Sequence, residues 1–330
     1  MSNQIARRAF LGGITGSALA SAFPAHSTQR LPGMTKLLVG FPAGGSVDAV
    51  SRRLGDFLHG VVADAVIVDN RPGAGGRIAI NFLLNGLADG SQWLVTPGSM
   101  LVIYPHVYRK LSYDPVRDLL PVAQIANVPL ALAVGPAVPP TVHDVKSFVA
   151  WLKNNPAGAN IGTPAAGNIT HFLAFLFARA SGLNLQYVPY RGSAPAIQDL
   201  LGGQVGALMN PLTEMLPYLQ GGKLRVLGVT GRDRSGFVPQ VPTFVEQGYP
   251  TVVGSEWMGL FARPGTPAPL VERMATSVRA ALRTASVRDA LAKLALEPAD
   301  EDGPQLARRI NGEIAGWREV SRVFGFHIDD

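Results

Sequence analysis

Two strand-to-glycine-loop-to-helix starts constrain this chain more than any other feature. The first reads Leu37-Leu38-Val39-Gly40-Phe41-Pro42-Ala43-Gly44-Gly45-Ser46-Val47-Asp48. The second reads Ala159-Asn160-Ile161-Gly162-Thr163-Pro164-Ala165-Ala166-Gly167-Asn168-Ile169-Thr170-His171. A glycine turn that opens a helix leaves backbone N–H groups unpaired at the positive end of the helix dipole. One such start holds an anion. Two that face each other across a cleft hold both ends of a small acid.

Around these starts, short apolar runs alternate with helical patterns, the signature of an α/β fold. Strands are expected over 36–41, 65–69 and 92–96, and helices over 47–58 and 78–85. The third strand ends in Pro97-Gly98-Ser99, another loop at a strand carboxyl end. The apolar run 123–134 is longer than one buried strand needs and reads as a crossing between domains. A second unit follows, with helices over 145–154, 168–181 and 194–202 and strands over 160–162, 187–189 and 205–209. Strand 224–230 is expected to return to the first domain, and the tail is helical over 269–294 and 304–324. At 330 residues the chain accommodates two such domains, each with its own core.

Residues 6–11, Ala-Arg-Arg-Ala-Phe-Leu, form a twin-arginine pattern, followed by a weakly apolar stretch over 12–22. Small-residue cleavage patterns end at about 22 and 27. This order of regions reads as an export signal over residues 1–27 and places the mature protein in the periplasm. Without Arg7 and Arg8 the net charge drops from +6 to +4, and the remaining basic residues are scattered. A diffuse positive surface of this kind argues against nucleic-acid binding.

The residue set offers little for covalent chemistry. Cysteine is absent, which removes disulfides, thiolate catalysis and thiolate metal sites. The six histidines are dispersed, without a metal-ligand spacing, and no G-x-S-x-G elbow occurs. Gly44-Gly45 lacks the Gly-Lys-Ser/Thr of a nucleotide loop. No metal and no cofactor are expected. An exported α/β hydrolase or lyase acting on a small organic acid stays open as the alternative, because catalytic triads are recognised by geometry.

Phe41-Pro42-Ala43-Gly44-Gly45-Ser46-Val47-Asp48, 68–76 (Val-Asp-Asn-Arg-Pro-Gly-Ala-Gly-Gly), Ala88-Asp89-Gly90 and Tyr113-Asp114-Pro115 follow one another in order. So do Val188-Pro189-Tyr190-Arg191-Gly192, 200–205 (Leu-Leu-Gly-Gly-Gln-Val), 242–248 (Pro-Thr-Phe-Val-Glu-Gln-Gly) and Pro264-Gly265-Thr266-Pro267. Together they resemble the Bug family, the extracytoplasmic solute receptors of tripartite tricarboxylate transporters. The resemblance implies a two-lobed, type II periplasmic binding-protein fold, each lobe a mostly parallel sheet flanked by helices. It assigns 28–124 plus 228–330 to lobe 1 and 125–227 to lobe 2, with hinges near 124–127 and 228–231. It also implies a small carboxylate as ligand and transporter membrane subunits as partners, with the receptor acting as a monomer. A receptor feeding a membrane sensor would present the same cleft.

By that resemblance, the loop Phe41, Ala43, Gly44, Gly45 and Ser46, with Asp48, holds one carboxylate. Thr96 and Ser99 after the third strand, and Thr163, Ala166, Gly167, Asn168 and His171 in the second lobe, complete the cleft. The second turn has a proline and fewer hydroxyls than the family's Ser- and Gly-rich turn, which leaves the ligand's identity open. The residues themselves refine several roles. Asp48 in the first turn of its helix complements the dipole. Arg191 reads either as a bidentate carboxylate clamp or as an ion-pair partner. Asn210, at a strand end, is placed to donate into the cleft, and His171 reads as a packing or hydrogen-bonding residue.

Overall fold

The computed structural model describes residues 31–219 and 221–329; the expected export signal over 1–27 lies outside them. Strand β1 (Leu31–Val39) carries Leu37, Leu38 and Val39 fully buried and runs into helix α1 (Ser46–Leu58). Val47, Val50, Leu54 and Leu58 recur on one face of α1, so that face packs on the sheet. Strand β2 (Ala63–Asn70), helix α2 (Arg77–Asn85) and strand β3 (Gln92–Pro97) repeat the unit. Two single-turn helices, α3 (Ser99–Val102) and α4 (Tyr104–Val107), precede strand β4 (Leu120–Val128).

The chain then passes through Pro129 into β5 (Leu130–Val134) of a second sheet. There it forms α5 (Val145–Asn154), β6 (Asn160–Thr163), α6 (Ile169–Ser181), β7 (Gln186–Pro189), α7 (Ser193–Leu201), β8 (Ala207–Pro211), α8 (Leu212–Leu219) and β9 (Arg225–Val229). The return is made by β10 (Glu256–Ala262), followed by α9 (Ala268–Arg283), α10 (Ala285–Ala292), β11 (Glu297–Pro298) and α11 (Gly303–Phe324). The first sheet is ordered β11-β4-β10-β3-β1-β2 and the second β7-β6-β8-β5-β9.

In each sheet the strand arriving from the other sheet runs against its neighbours. β10 is antiparallel to both β3 and β4, and β5 is antiparallel to both β8 and β9. The cause is geometric: the strands of the βα units end at the cleft, whereas a strand that has just crossed it begins there. Strand 225–229, expected to return to the first domain, stays in the second sheet beside β5. Residues 124–127, expected as a hinge, lie inside β4 and pair with β10. The passages between the sheets are Pro129 and the segment after Val229. Thr230 ties them side by side, its N–H donating to Leu130 O at 3.0 Å and its hydroxyl to Gly254 O at 2.6 Å.

The C-terminus crosses both lobes. α11 packs against α3, α4 and α6. Beyond it, Ile328 exchanges backbone hydrogen bonds with Val107 and Arg109, while Phe324 and Phe326 stack near His171 of α6. One continuous apolar core therefore runs from the α2–α4 face of the first sheet into the α5–α6 face of the second.

Candidate functional site

A cleft of about 690 Å³ opens between the two sheets. Helices α1, α6 and α7 all begin at its wall, because β1, β6 and β7 end there. Of the residues singled out in the sequence, the structure brings Phe41, Ala43, Gly44, Gly45, Ser46, Ser99, Asn168 and Arg191 into this wall.

The first glycine loop is pinned from behind by Asp48. Its Oδ2 accepts from Gly44 N–H and from Arg52 Nε, both at 2.9 Å, and Oδ1 accepts from Asn70 Nδ2 at 3.0 Å. Burial raises this carboxyl, but those donors together hold it below the usual range. Asp48 is 3% exposed and stands outside the wall, so it shapes the loop without touching the space in front of it. Asn70 also donates to Phe41 O at 3.2 Å. Gly44 takes φ +88°, which side chains resist, whereas Gly45 at φ −78° is ordinary extended backbone.

Six more expected residues do not reach the wall. Thr96 is buried behind it with its hydroxyl on Met100 Sδ, and Thr163 turns its hydroxyl to Ala165 O. Ala166 and Gly167 lie in the turn between wall residues Ala165 and Asn168 but are not part of the wall. His171 points toward the C-terminal aromatics, edge-on to Tyr187, Phe324 and Phe326. Its Nδ1 accepts from Gly167 N–H at 3.1 Å, which fixes the tautomer with the proton on Nε2. Burial lowers its pKa to about 4, so the ring stays neutral. Asn210 is fully buried behind the wall; its Nδ2 donates to Pro211 O, and its Oδ1 has no partner among the described residues. Trp257 is likewise core, with its indole N–H on Glu313.

Asn168 acts as the cap of α6: its Oδ1 accepts from His171 N–H at 3.1 Å and from the Thr170 hydroxyl at 2.7 Å. Arg191 is exposed at the wall and makes no ion pair with the described residues. It stands directly before Gly192, φ +108°, which opens α7.

Two carboxylates went unseen in the sequence. Glu214, in the first turn of α8, reaches across to the start of α1, where its Oε1 accepts from Ser46 N–H at 3.2 Å and Ser46 Oγ at 2.9 Å. An acid in a helix's first turn ordinarily reads as a dipole complement, so its sequence position gave no signal. Glu256 opens β10. Its carboxyl accepts from Ser99 N–H at 3.2 Å, from Trp257 N–H at 3.0 Å and from the Ser99 hydroxyl. Burial pushes Glu256 up to about 7, against those donors. The available signal was a lone charge opening an apolar run, Trp257 to Ala262. Ser99 Oγ also accepts from Ile169 N–H of α6 at 3.3 Å. Each of the two helix starts thus donates to a group from the opposite lobe.

Two mixed sheets, a cleft walled by helix starts and a connection that crosses twice define a two-lobed solute-binding protein. Comparison with known proteins gives the family. The model of the tripartite tricarboxylate transporter family receptor matches residues 50–325. Protein BugT of Bordetella pertussis is 32% identical over 314 residues, 95% of this chain and 94% of that protein. The structure of the periplasmic binding protein BugD superposes with a TM-score of 0.82 at 27% identity, covering 90% of this chain and 99% of BugD. A Rhodopseudomonas palustris protein solved with adipate gives 0.84 at 30% identity, covering 90% and 98%. The chain belongs to the tripartite tricarboxylate transporter receptor family, a class of periplasmic solute-binding receptors.

Proposed function

We propose that the protein, exported through its twin-arginine leader, captures a small carboxylate in this cleft as a monomer and delivers it to the membrane subunits of a transporter. One lobe comprises β1–β4, β10 and β11 with their helices, and the other β5–β9 with theirs. Capture requires no chemistry on the solute, and no catalytic role is assigned to any wall residue. The observation that carries this reading is the convergence of the starts of α1, α6 and α7, with the exposed guanidinium of Arg191, on one cleft. Oriented N–H groups and a guanidinium hold a carboxylate without an enclosed metal or a buried cation. Binding by the adipate-bound relative supports a carboxylic acid as the solute class. Passages at Pro129 and Thr230 would act as the hinge on which the lobes close.

The test is a thermal-shift screen of purified mature protein against small carboxylates, with the matching amides as controls. A ligand at 100 times its Kd adds about 2.7 kcal/mol of stability. A shift with acids and none with amides, the acid being recovered intact, is the expected result. Turnover of the acid would favour the hydrolase or lyase alternative.

A further inference from the structure

The start of α1 is where the first glycine loop offers its donors to an anion, and a carboxylate of the chain itself lies on them. Glu214 Oε1 accepts from Ser46 N–H at 3.2 Å and from Ser46 Oγ at 2.9 Å. The same oxygen lies 3.9 Å from the point where a Cβ on Gly45 would stand, so it covers the loop as well as the helix start. Gly45, Ser46 and Glu214 all belong to the cleft wall. The two partners come from opposite sides of the cleft: Ser46 opens α1 beside the first sheet, and Glu214 follows β8 of the second.

A solute carboxylate cannot simply join this contact. Ser46 has one N–H and one hydroxyl proton to give, and Oε1 takes both. A second anion on the same donors would also meet like-charge repulsion at short range. Glu214 is well placed to give way, because it is half-buried and sits in a loosely tied turn. Pro217, inside α8, has no N–H to donate to the Thr213 carbonyl one turn back. The Thr213 hydroxyl itself belongs to the wall, 9% exposed and without a partner among the described residues. Such a buried group is costly until something enters to meet it.

Resting on the receptor reading above, we infer that Glu214 is an internal competitor for the start of α1: its carboxylate and the solute's exchange there, and Glu214 thereby sets the affinity of the cleft. Each binding event forfeits the Ser46–Glu214 bonds, so capture is weaker than the loop alone would give. For a receptor that must hand its solute on, a built-in replacement anion eases release. A contact that only clamped the lobes over a bound solute would act with the opposite sign, since its removal would weaken binding.

The experiment is isothermal titration of the ligand-stripped mature protein and of its Glu214→Ala and Glu214→Gln variants with straight-chain mono- and dicarboxylates of four to six carbons. Acids that bind should bind Glu214→Ala about five- to thirtyfold more tightly than the parent. Glu214→Gln keeps an acceptor oxygen and loses the charge, so it should fall in between, and its near-identical shape keeps the test informative if Glu214→Ala fails to fold. Urea unfolding adds a readout that a merely structural contact would not move. Glu214→Ala should be less stable than the parent without acid, and the gap should close at saturating acid, because the bound parent has already given up the contact. Equal or weaker binding by the folded variants, or a stability gap that persists at saturation, would overturn the exchange while leaving the receptor reading intact. Binding of none of the acids by any of the three proteins would sink the receptor reading and the exchange with it.

Discussion

Ser46 and Glu214 meet across the cleft, one at the start of α1 and the other in the first turn of α8, through two hydrogen bonds to a single carboxylate oxygen. They are 168 positions apart in sequence. A hydrogen bond to a charged group contributes about 1.5–3 kcal/mol when it is well sheltered. This one is half-exposed, so the lower part of that range applies.

Glu214→Ala should therefore lower unfolding stability by about 1–2 kcal/mol, since both Ser46 donors then face only water. Urea denaturation of ligand-free protein measures this. An unchanged midpoint would mean that the contact contributes nothing to holding the lobes together.

Glu256 gives a pH signature. Burial moves its carboxyl from 4.5 up to about 7, so across that window the folded protein keeps a proton the unfolded chain has released. Its contribution to stability therefore falls as pH rises from 4.5 to 7. His171, lowered from 6.5 to about 4, has the opposite sign: the unfolded chain binds the extra proton, and stability rises with pH over that window. The two slopes oppose each other where the windows overlap. Glu256→Gln removes the falling one, so its stability relative to the parent should climb between pH 4.5 and 7, by up to about 3 kcal/mol. A difference that stays flat across this range would contradict the burial of the ionisable carboxyl.

Two glycines of the wall loops differ sharply in what they tolerate. A Cβ on Gly98 would stand 2.2 Å from the Trp257 ring, with no room for the indole to yield inside the core. Gly98→Ala should cost about 2 kcal/mol or more. A Cβ on Gly45 meets nothing closer than Pro42 O at 3.6 Å, so Gly45→Ala should fold with little loss. Comparison of the two melting temperatures checks both; equal losses would argue against the close seating of Gly98 on Trp257.

The C-terminal strap should also matter. A stop after Gly325 removes Phe326, whose ring lies 4.7 Å from His171, and Ile328, whose N–H donates to Val107 O at 2.8 Å. Loss of these partly buried apolar groups should cost about 2–4 kcal/mol. Differential scanning calorimetry reads the result, and a truncated protein of unchanged Tm would show that the strap is ornamental.

Much of this architecture was legible because the glycine loops and apolar runs carry local chemistry. The starts at Gly44-Gly45 and Gly167-Asn168 both open helices at the cleft, and the long run 123–134 does cross between the sheets, at Pro129. What local pattern could not supply was partnership over distance. Strand 225–229 is indistinguishable in sequence from a returning strand; only its pairing with β5 assigns it to the second sheet. Thr96, Thr163 and His171 sit at the right ends of the right elements, yet their side chains turn to Met100, Ala165 and Gly167. Asp48 in the first turn of its helix is visible in the sequence, but its contacts to Gly44 and Asn70 depend on β2 being adjacent. Glu214 and Glu256 become wall residues only once the lobes face each other.

The central claim is reversible capture of a carboxylic acid between the lobes. Isothermal titration of ligand-stripped mature protein with the acids that shift its melting temperature tests it most directly, with the solute analysed afterwards. One-to-one binding of an acid, loss of that binding for its amide, and recovery of the acid unchanged are the predicted result. Binding that ignores the carboxylate, or an acid that is consumed during the titration, would contradict it.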